Sequence, residues 1–178
     1  GYEKPSPVQA GVVPLAMQEF DVIGQARTGT GKTAAFAIPI LEQLDLSVKK
    51  AKPQALILTP TRELAVQVEN EFKRLSDQER VSCVCLYGGR PIRGQINQLE
   101  RGAHVVVGTP GRVIDHLNRG TLNIDQLWFV VLDEADRMLD IGFRPDIERI
   151  LKRCPTERQT LLLSATLPEP IRRLAKRY

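Results

Sequence analysis

Six short apolar runs punctuate the chain: Asp21–Gly24, Ala55–Thr59, Cys83–Leu86, His104–Val107, Trp128–Leu132 and Thr160–Leu163. Several are continuous rather than alternating, the pattern of strands buried on both faces of a parallel sheet. Between them, apolar residues recur at helical spacing: Leu64, Val68, Phe72 and Leu75, then Ile92, Ile96 and Leu99, then Val113, Ile114 and Leu117. This alternation predicts an open α/β sandwich with right-handed crossovers and helices covering a mostly parallel sheet. Ligand sites are then expected beyond the carboxyl ends of the strands. Pro39 lies inside the helical stretch that begins near Lys32 and is expected to kink or interrupt it. Ile171–Tyr178 predicts a last helix.

A length of 178 residues suits one domain with a substantial core, and 42% hydrophobic with 26% charged residues excludes a disordered or fibrous chain. The longest purely apolar stretch, Leu127–Leu132, is far short of the roughly 20 residues that cross a bilayer, and the first residues lack a secretory segment. Cys83, Cys85 and Cys154 are odd in number and lack metal-ligand spacing, so reduced structural thiols and an intracellular, cytoplasmic home are expected. Lys plus Arg at 25 against Asp plus Glu at 21 gives a net charge of +4, which permits an anionic partner without requiring one.

After the first run comes Gln25, then Ala26, Arg27, Thr28, Gly29, Thr30, Gly31, Lys32 and Thr33, followed by the apolar helical stretch Ala34–Leu41. Strand, glycine-rich turn and helix is the context of a nucleoside-triphosphate loop, with Ala26 standing where the pattern has its first Gly. Gly29 and Gly31 supply positive φ or close approach of the backbone to phosphate. Lys32 places a point charge near the β and γ phosphates, and the Thr33 hydroxyl is a ligand for Mg²⁺. The blander alternative is a glycine turn capping a surface helix.

Trp128–Leu132 runs directly into Asp133, Glu134, Ala135 and Asp136. Carboxylates at the end of a buried strand are costly unless a cation or donor meets them. Asp133 is the natural partner of Thr33 in holding Mg²⁺, and Glu134 is placed to orient the attacking water and accept its proton. Read alone, the segment also fits a helix start with Asp133 as N-cap.

These residues resemble the DEAD-box family of ATP-dependent RNA helicases, whose name spells Asp133, Glu134, Ala135 and Asp136, and the match covers essentially the whole chain as the first of two RecA-like domains. The resemblance implies a RecA-like P-loop NTPase fold, a three-layer α/β/α sandwich, with ATP and Mg²⁺ as cofactors. The family's phosphate loop itself opens on Ala, matching Ala26. Its adenine-reading element resembles Gly1, Tyr2, Pro5, Ser6, Pro7, Val8 and Gln9, with Gln9 reading the adenine edge through its amide. The aromatic residue that the family places against the base would precede Gly1, so weakened adenine affinity is expected.

By the same resemblance, RNA contacts fall on Pro60, Thr61, Arg62, Glu63, Leu64 and Ala65, on Gly88 and Gly89, and on Thr109, Pro110, Gly111 and Arg112. Each group follows an apolar run, and backbone donors at a helix start beside an arginine suit a phosphate. Such contacts grip a strand by its backbone and carry little base sequence; an ordinary exposed or helix-pairing arginine is the local alternative for Arg62 and Arg112. Ser164, Ala165 and Thr166 resemble the motif that couples nucleotide state to RNA, with hydroxyls in reach of the Asp136 region, while a simple turn before Pro168 fits them locally.

The implied activity is RNA-dependent ATP hydrolysis with RNA unwinding or RNA–protein remodelling in a two-domain protein. The isolated chain is expected to hydrolyse poorly, because a second domain would close over both ligands and contribute arginines. An ATP-gated RNA clamp and a small-molecule kinase are the competing classes, separated by duplex release and by stimulation with RNA. His104 and His116 are expected to be structural, and Trp128, Phe129 and Phe143 to be core aromatics.

Overall fold

The computed structural model describes residues 4–27, 29–47, 50–76 and 80–178. The strands are β1 (Val22–Gln25), β2 (Ala55–Leu58), β3 (Cys83–Leu86), β4 (Val105–Gly108), β5 (Phe129–Leu132) and β6 (Gln159–Ser164). The helices are α1 (Pro7–Met17), α2 (Lys32–Gln43), α3 (Arg62–Leu75), α4 (Ile92–Glu100), α5 (Pro110–Asn118), α6 (Ala135–Ile141), α7 (Arg144–Arg153) and α8 (Glu169–Arg177). All six predicted strands form, with boundaries shifted by a residue or so at several ends.

The six strands lie in the order β1-β6-β5-β2-β4-β3 and every pairing is parallel. Side-chain alternation splits the core in two. Ile57, Val107, Phe129, Val131, Leu161 and Leu163 face one cluster with Val12 of α1, Phe36 and Ile40 of α2, and Val68 and Phe72 of α3. Leu56, Leu58, Val106, Val130, Leu132 and Leu162 face the other, against Val113 of α5, Met138 of α6, Ile150 of α7 and Leu174 of α8. This is the three-layer α/β/α sandwich of a RecA-like P-loop NTPase. Only β1 shows an alternating buried and exposed pattern, as an edge strand with Ile23 54% exposed.

Local chemistry sets the ends of the elements. Ser6 opens α1 with a capping box, its backbone N–H donating to Gln9 Oε1 at 2.9 Å while Gln9 N–H donates to Ser6 Oγ at 3.4 Å. Thr61 Oγ1 accepts from Leu64 N–H at 3.2 Å to start α3. Of the kink or interruption expected at Pro39, the interruption does not occur: α2 runs through it as one helix. A proline in a helix interior costs about 3 kcal/mol. Ala35, Phe36, Ala37 and Ile40 around it are fully buried, and full burial of one large apolar side chain stabilises by roughly 1.5–3 kcal/mol. Two such residues offset the lost hydrogen bond.

Candidate functional site

At the carboxyl end of β1, Ala26 N–H still donates to Ser164 O of β6 at 3.0 Å, and the chain then turns over the sheet. Gly29 (φ 80°) and Gly31 (φ 87°) adopt the left-handed conformation, which a Cβ disfavours. The Thr30 hydroxyl donates to Arg27 O at 2.7 Å and closes the turn. Gly31 is the N-cap of α2, and among the described residues no side chain caps it. The first-turn N–H groups of that helix are thus available to an anion. Gln9 Nε2 donates to Gly31 O at 3.2 Å, and a Cβ on Gly31 would lie 2.5 Å from that nitrogen. The Gln9 amide therefore sits against the loop with one N–H and one oxygen lone pair beyond these bonds. Tyr2 and Thr28, which the sequence also assigned to nucleotide binding, lie outside the described residues, as does Gly1.

Lys32 opens α2 and Asp133 follows β5. Because β6 lies between β1 and β5, the two strand ends stand about 10 Å apart, a gap the lysine stem crosses. Lys32 Nζ comes to 3.8 Å from Asp133 Oδ1, with both side chains buried. That distance is an ion pair but not a hydrogen bond, and Nζ has no hydrogen-bond partner among the described residues. Burial pushes the Asp133 carboxyl up to about 6; Lys32 pulls it back, Glu134 adds to the rise, and the Glu134 N–H donating at 2.9 Å lowers it again. A buried ammonium without a hydrogen-bond acceptor, facing a buried carboxylate that it meets only at ion-pair distance, is costly as it stands. The arrangement fits a polyanion and a divalent cation arriving together. Thr33, half-buried, follows Lys32 in the first turn of α2. The described residues hold no group of three or more His, Cys, Asp or Glu placed to hold a metal ion by themselves, and Mg²⁺ needs none when one or two protein oxygens and phosphates hold it.

The helix start after β5 differs from the capped form that local propensity allows. Glu134, not Asp133, is the N-cap of α6, with φ 50° and ψ 50° and no capping bond from its side chain. The Asp133 carboxyl is engaged beside Lys32 instead. Glu134 is buried, and its Oε2 accepts from Arg137 Nη1 at 3.3 Å. One turn on, Asp136 N–H donates to Ser164 Oγ at 3.1 Å, while Thr166 donates to Asp136 Oδ2 from its N–H at 2.9 Å and its hydroxyl at 2.8 Å. Partial burial acts to raise the Asp136 carboxyl. The bonds from Thr166, Arg137 N–H and Ser164 outweigh it and hold the group below the usual carboxylate range. Asp136, Ser164 and Thr166 thus fasten the end of β6 to the start of α6.

A second group of predicted residues gathers at the ends of β2, β3 and β4. Pro60 and Thr61 lead into α3, where exposed Arg62 lies over the Tyr87 ring at 5.0 Å, and Arg90 lies over the same ring at 5.4 Å. Exposed Gly88 and Gly89 form the turn between Tyr87 and Arg90, with Gly89 at φ 80°. Thr109 is the N-cap of α5, and Pro110 has no N–H, so the backbone donors of that turn begin at Gly111. Arg112 is neither freely exposed nor merely helix-paired. Its Nη1 and Nη2 each donate to Arg90 O at 3.2 Å, and Nη1 also donates to Gln95 Oε1 at 3.1 Å.

Tyr87, Arg90 and Gln95 were not singled out from the sequence. The available signal was Gln95 at the i+3 position of the stripe Ile92, Ile96 and Leu99, a polar residue in an apolar face. His116, read as structural, is fully buried, with Nδ1 2.8 Å from Thr121 Oγ1 and Nε2 3.1 Å from Gln95 Oε1. Burial first, then the charge of Arg112, pushes its pKa down from 6.5 to about 4, against Asp115 and together with Arg119. The native state therefore binds fewer protons here than the unfolded chain between pH 6.5 and 4. The associated stability is present above pH 6.5 and is lost as pH falls towards 4. His104, whose ring is also shifted down by burial, adds the same sign. Urea midpoints are expected to fall between pH 7.5 and 5, and His116→Gln is expected to flatten that slope; an unchanged slope would remove His116 from the account.

Taken together, the strand order, the left-handed glycine turn and the buried Lys32–Asp133 pair define a P-loop nucleoside-triphosphate-binding domain. A profile of the DEAD/DEAH box helicase family matches residues 6–174, and the chain belongs to that family. It is 56% identical over 178 residues to the DEAD-box ATP-dependent RNA helicase CshA of Geobacillus kaustophilus, covering all of this chain and 38% of the relative. It is 52% identical to the ATP-dependent RNA helicase CshA of Listeria monocytogenes, covering 34% of it. The structure matches a crystal structure of a DEAD box protein from the hyperthermophile Methanococcus jannaschii with a TM-score of 0.94 and 47% identity, over all of this chain and 48% of that one. A hypothetical ATP-dependent RNA helicase from Sulfolobus tokodaii matches at 0.90 and 39%, over 51% of its length. The chain thus spans between a third and a half of these proteins. Family membership implies binding of ATP and Mg²⁺. No helix among the described residues is long and apolar enough to cross a membrane.

Proposed function

We propose that residues 1–178 form the first RecA-like domain of an ATP-dependent RNA helicase or RNA–protein remodelling ATPase, working with a second RecA-like domain in a longer chain. The observation that carries this is the buried Lys32–Asp133 pair, which joins the start of α2 to the end of β5 and leaves Lys32 Nζ without a hydrogen-bond partner among the described residues. In this reading, the backbone of Ala26–Thr33, with Arg27, Thr28, Gly29, Thr30 and Gly31, cradles the phosphates of ATP. Gln9 and Tyr2 hold the adenine end. Lys32 places its charge on the β and γ phosphates, and Thr33 and Asp133 hold Mg²⁺. When bound, Mg²⁺ supplies neutralisation of the phosphate oxygens on which charge develops.

Glu134 orients the attacking water and takes its proton, held in place by its backbone turn and by Arg137. Burial raises the Asp133 carboxyl, and a cation held beside it would favour its ionised form. Single-stranded RNA runs across Pro60, Thr61 and Arg62, then Gly88 and Gly89, then Thr109, Pro110, Gly111 and Arg112, gripped by phosphate and sugar and therefore with little sequence preference. Asp136, Ser164 and Thr166 link the nucleotide end to the rest of the cleft. Protein partners and terminal extensions would choose the RNA target.

The test is Lys32→Ala. A charged hydrogen bond is worth about 1.5–3 kcal/mol, so ATP affinity is expected to fall roughly 10- to 100-fold in a titration with a fluorescent ATP analogue. Unaltered affinity would overturn the assignment of the loop. Stimulation of ATPase activity by added RNA separates the helicase class from a small-molecule kinase.

A further inference from the structure

Gln95 is the one buried residue of α4, a helix otherwise at least partly open to solvent. Its Nε2 donates to Tyr87 O at 2.9 Å, which fixes the amide orientation and points Oε1 at Arg112 Nη1 and His116 Nε2, each 3.1 Å away. The reverse orientation would set an NH₂ against a guanidinium and leave Tyr87 O facing an oxygen. With Oε1 as the acceptor, His116 carries its proton on Nε2, and Nδ1 is left to accept from Thr121 Oγ1. Tyr87 in turn carries Arg62 and Arg90 on its ring, and Arg90 O receives Arg112. One amide therefore ties together the segments after β3 and β4, and through the Tyr87 ring the segment after β2. These are the three segments that carry the RNA-facing arginines.

We infer that Gln95 is a positioning residue for nucleic acid: by bonding Tyr87 O and Arg112 at once, it holds Arg62, Arg90 and Arg112 in one rigid frame matched to successive phosphates of a single strand. The inference rests on the RNA-binding reading given above and deepens it. Arginines already fixed before binding lose less freedom when a phosphate arrives, and their spacing is set without the ligand. The residue touches no phosphate itself. It does its work through the loops it joins, and it follows β3 at the far edge of the sheet, with β2 and β4 between that strand and β5, whose end carries Asp133.

The test replaces Gln95 with Met, similar in length but unable to make these bonds, and reads binding of a fluorescein-labelled oligouridylate alongside the ATP and RNA dependence of ATPase activity in the full-length chain. Gln95→Met is expected to weaken oligouridylate binding and to raise the RNA concentration for half-stimulation about tenfold. The KM for ATP and the RNA-independent rate should stay within about twofold. Gln95→Glu keeps the acceptor for Arg112 and His116 but loses the donor to Tyr87 O; its RNA affinity should fall between wild type and Gln95→Met. It carries the test should the Met variant fail to fold, as a several-fold RNA defect with ATP unaffected. Arg112→Met serves as the control. Should Arg112→Met weaken RNA binding while both Gln95 variants bind as wild type, the positioning role is overturned and the RNA reading stands. Equal losses for ATP and RNA in the Gln95 variants would mark a general structural role and also overturn it. No RNA defect in Arg112→Met or Arg62→Ala would sink the RNA-binding reading and this inference with it.

Discussion

Residues 1–178 alone are expected to hydrolyse ATP about 10³- to 10⁵-fold more slowly, at saturating RNA, than a complete chain that carries a second RecA-like domain, the range that an arginine supplied from a facing surface is worth in nucleotide hydrolases. The reason lies in the charge around the phosphate site. Among the described residues, Lys32 is the one cation paired with Asp133, and it approaches the site from the β1 side, with the sheet beneath. Charge developing on the transferred phosphoryl group would be met from one side only, with the other open to water, where electrostatic stabilisation is weak. Closure of a second domain would exclude that water and add positive charge on the side facing away from Lys32. The comparison is a steady-state ATPase assay with equal molar amounts of the two proteins, with and without RNA. Equal turnover would mean that the domain already holds its whole catalytic apparatus, and the two-domain mechanism would fall.

Much of this architecture was visible in the sequence because the decisive residues sit in local contexts that permit few alternatives. Gly29 and Gly31 ahead of Lys32 and an apolar helix read as a phosphate turn, and carboxylates directly after the buried run Trp128–Leu132 read as groups in search of a cation or donor. The meeting of Lys32 with Asp133 follows from placing both at carboxyl ends of one parallel sheet. The strand order was not readable, because runs such as Val105–Gly108 and Phe129–Leu132 are chemically interchangeable and neither names its neighbour. Only the tertiary structure shows that β6 is inserted between β1 and β5, which places Ser164 and Thr166 beside Asp136. The helices α1 and α7 also went unmarked. In α1 apolar residues and prolines fall on all sides, and in α7 the stripe Ile147, Ile150 and Leu151 is short and set among charges. Gln95 was hidden for a different reason: a glutamine on a polar helix looks solvated until three hydrogen bonds place it at the centre of a loop cluster.

Glu134→Gln is expected to leave ATP affinity within about twofold and to lower the hydrolysis rate by roughly 10²- to 10⁴-fold, the usual contribution of a positioned general base. The substitution keeps the shape and the polar tip, so the left-handed turn at Glu134 and the bond from its N–H to Asp133 Oδ1 are retained. What is lost is the capacity to take a proton, and with it the charge facing Arg137 Nη1 at 3.3 Å. That pair is partly exposed and worth little by itself, so its loss should show in neither folding nor nucleotide affinity. Removing a negative charge near the phosphate site is not expected to weaken binding, whereas the attacking water must find another acceptor. Single-turnover hydrolysis with ATP prebound separates the two effects, since it reads chemistry without the binding step. A variant that binds and turns over like the wild type would strip Glu134 of its role and leave its strained backbone turn without a chemical explanation. A variant that loses binding as well would place Glu134 among the groups that hold the nucleotide rather than the water.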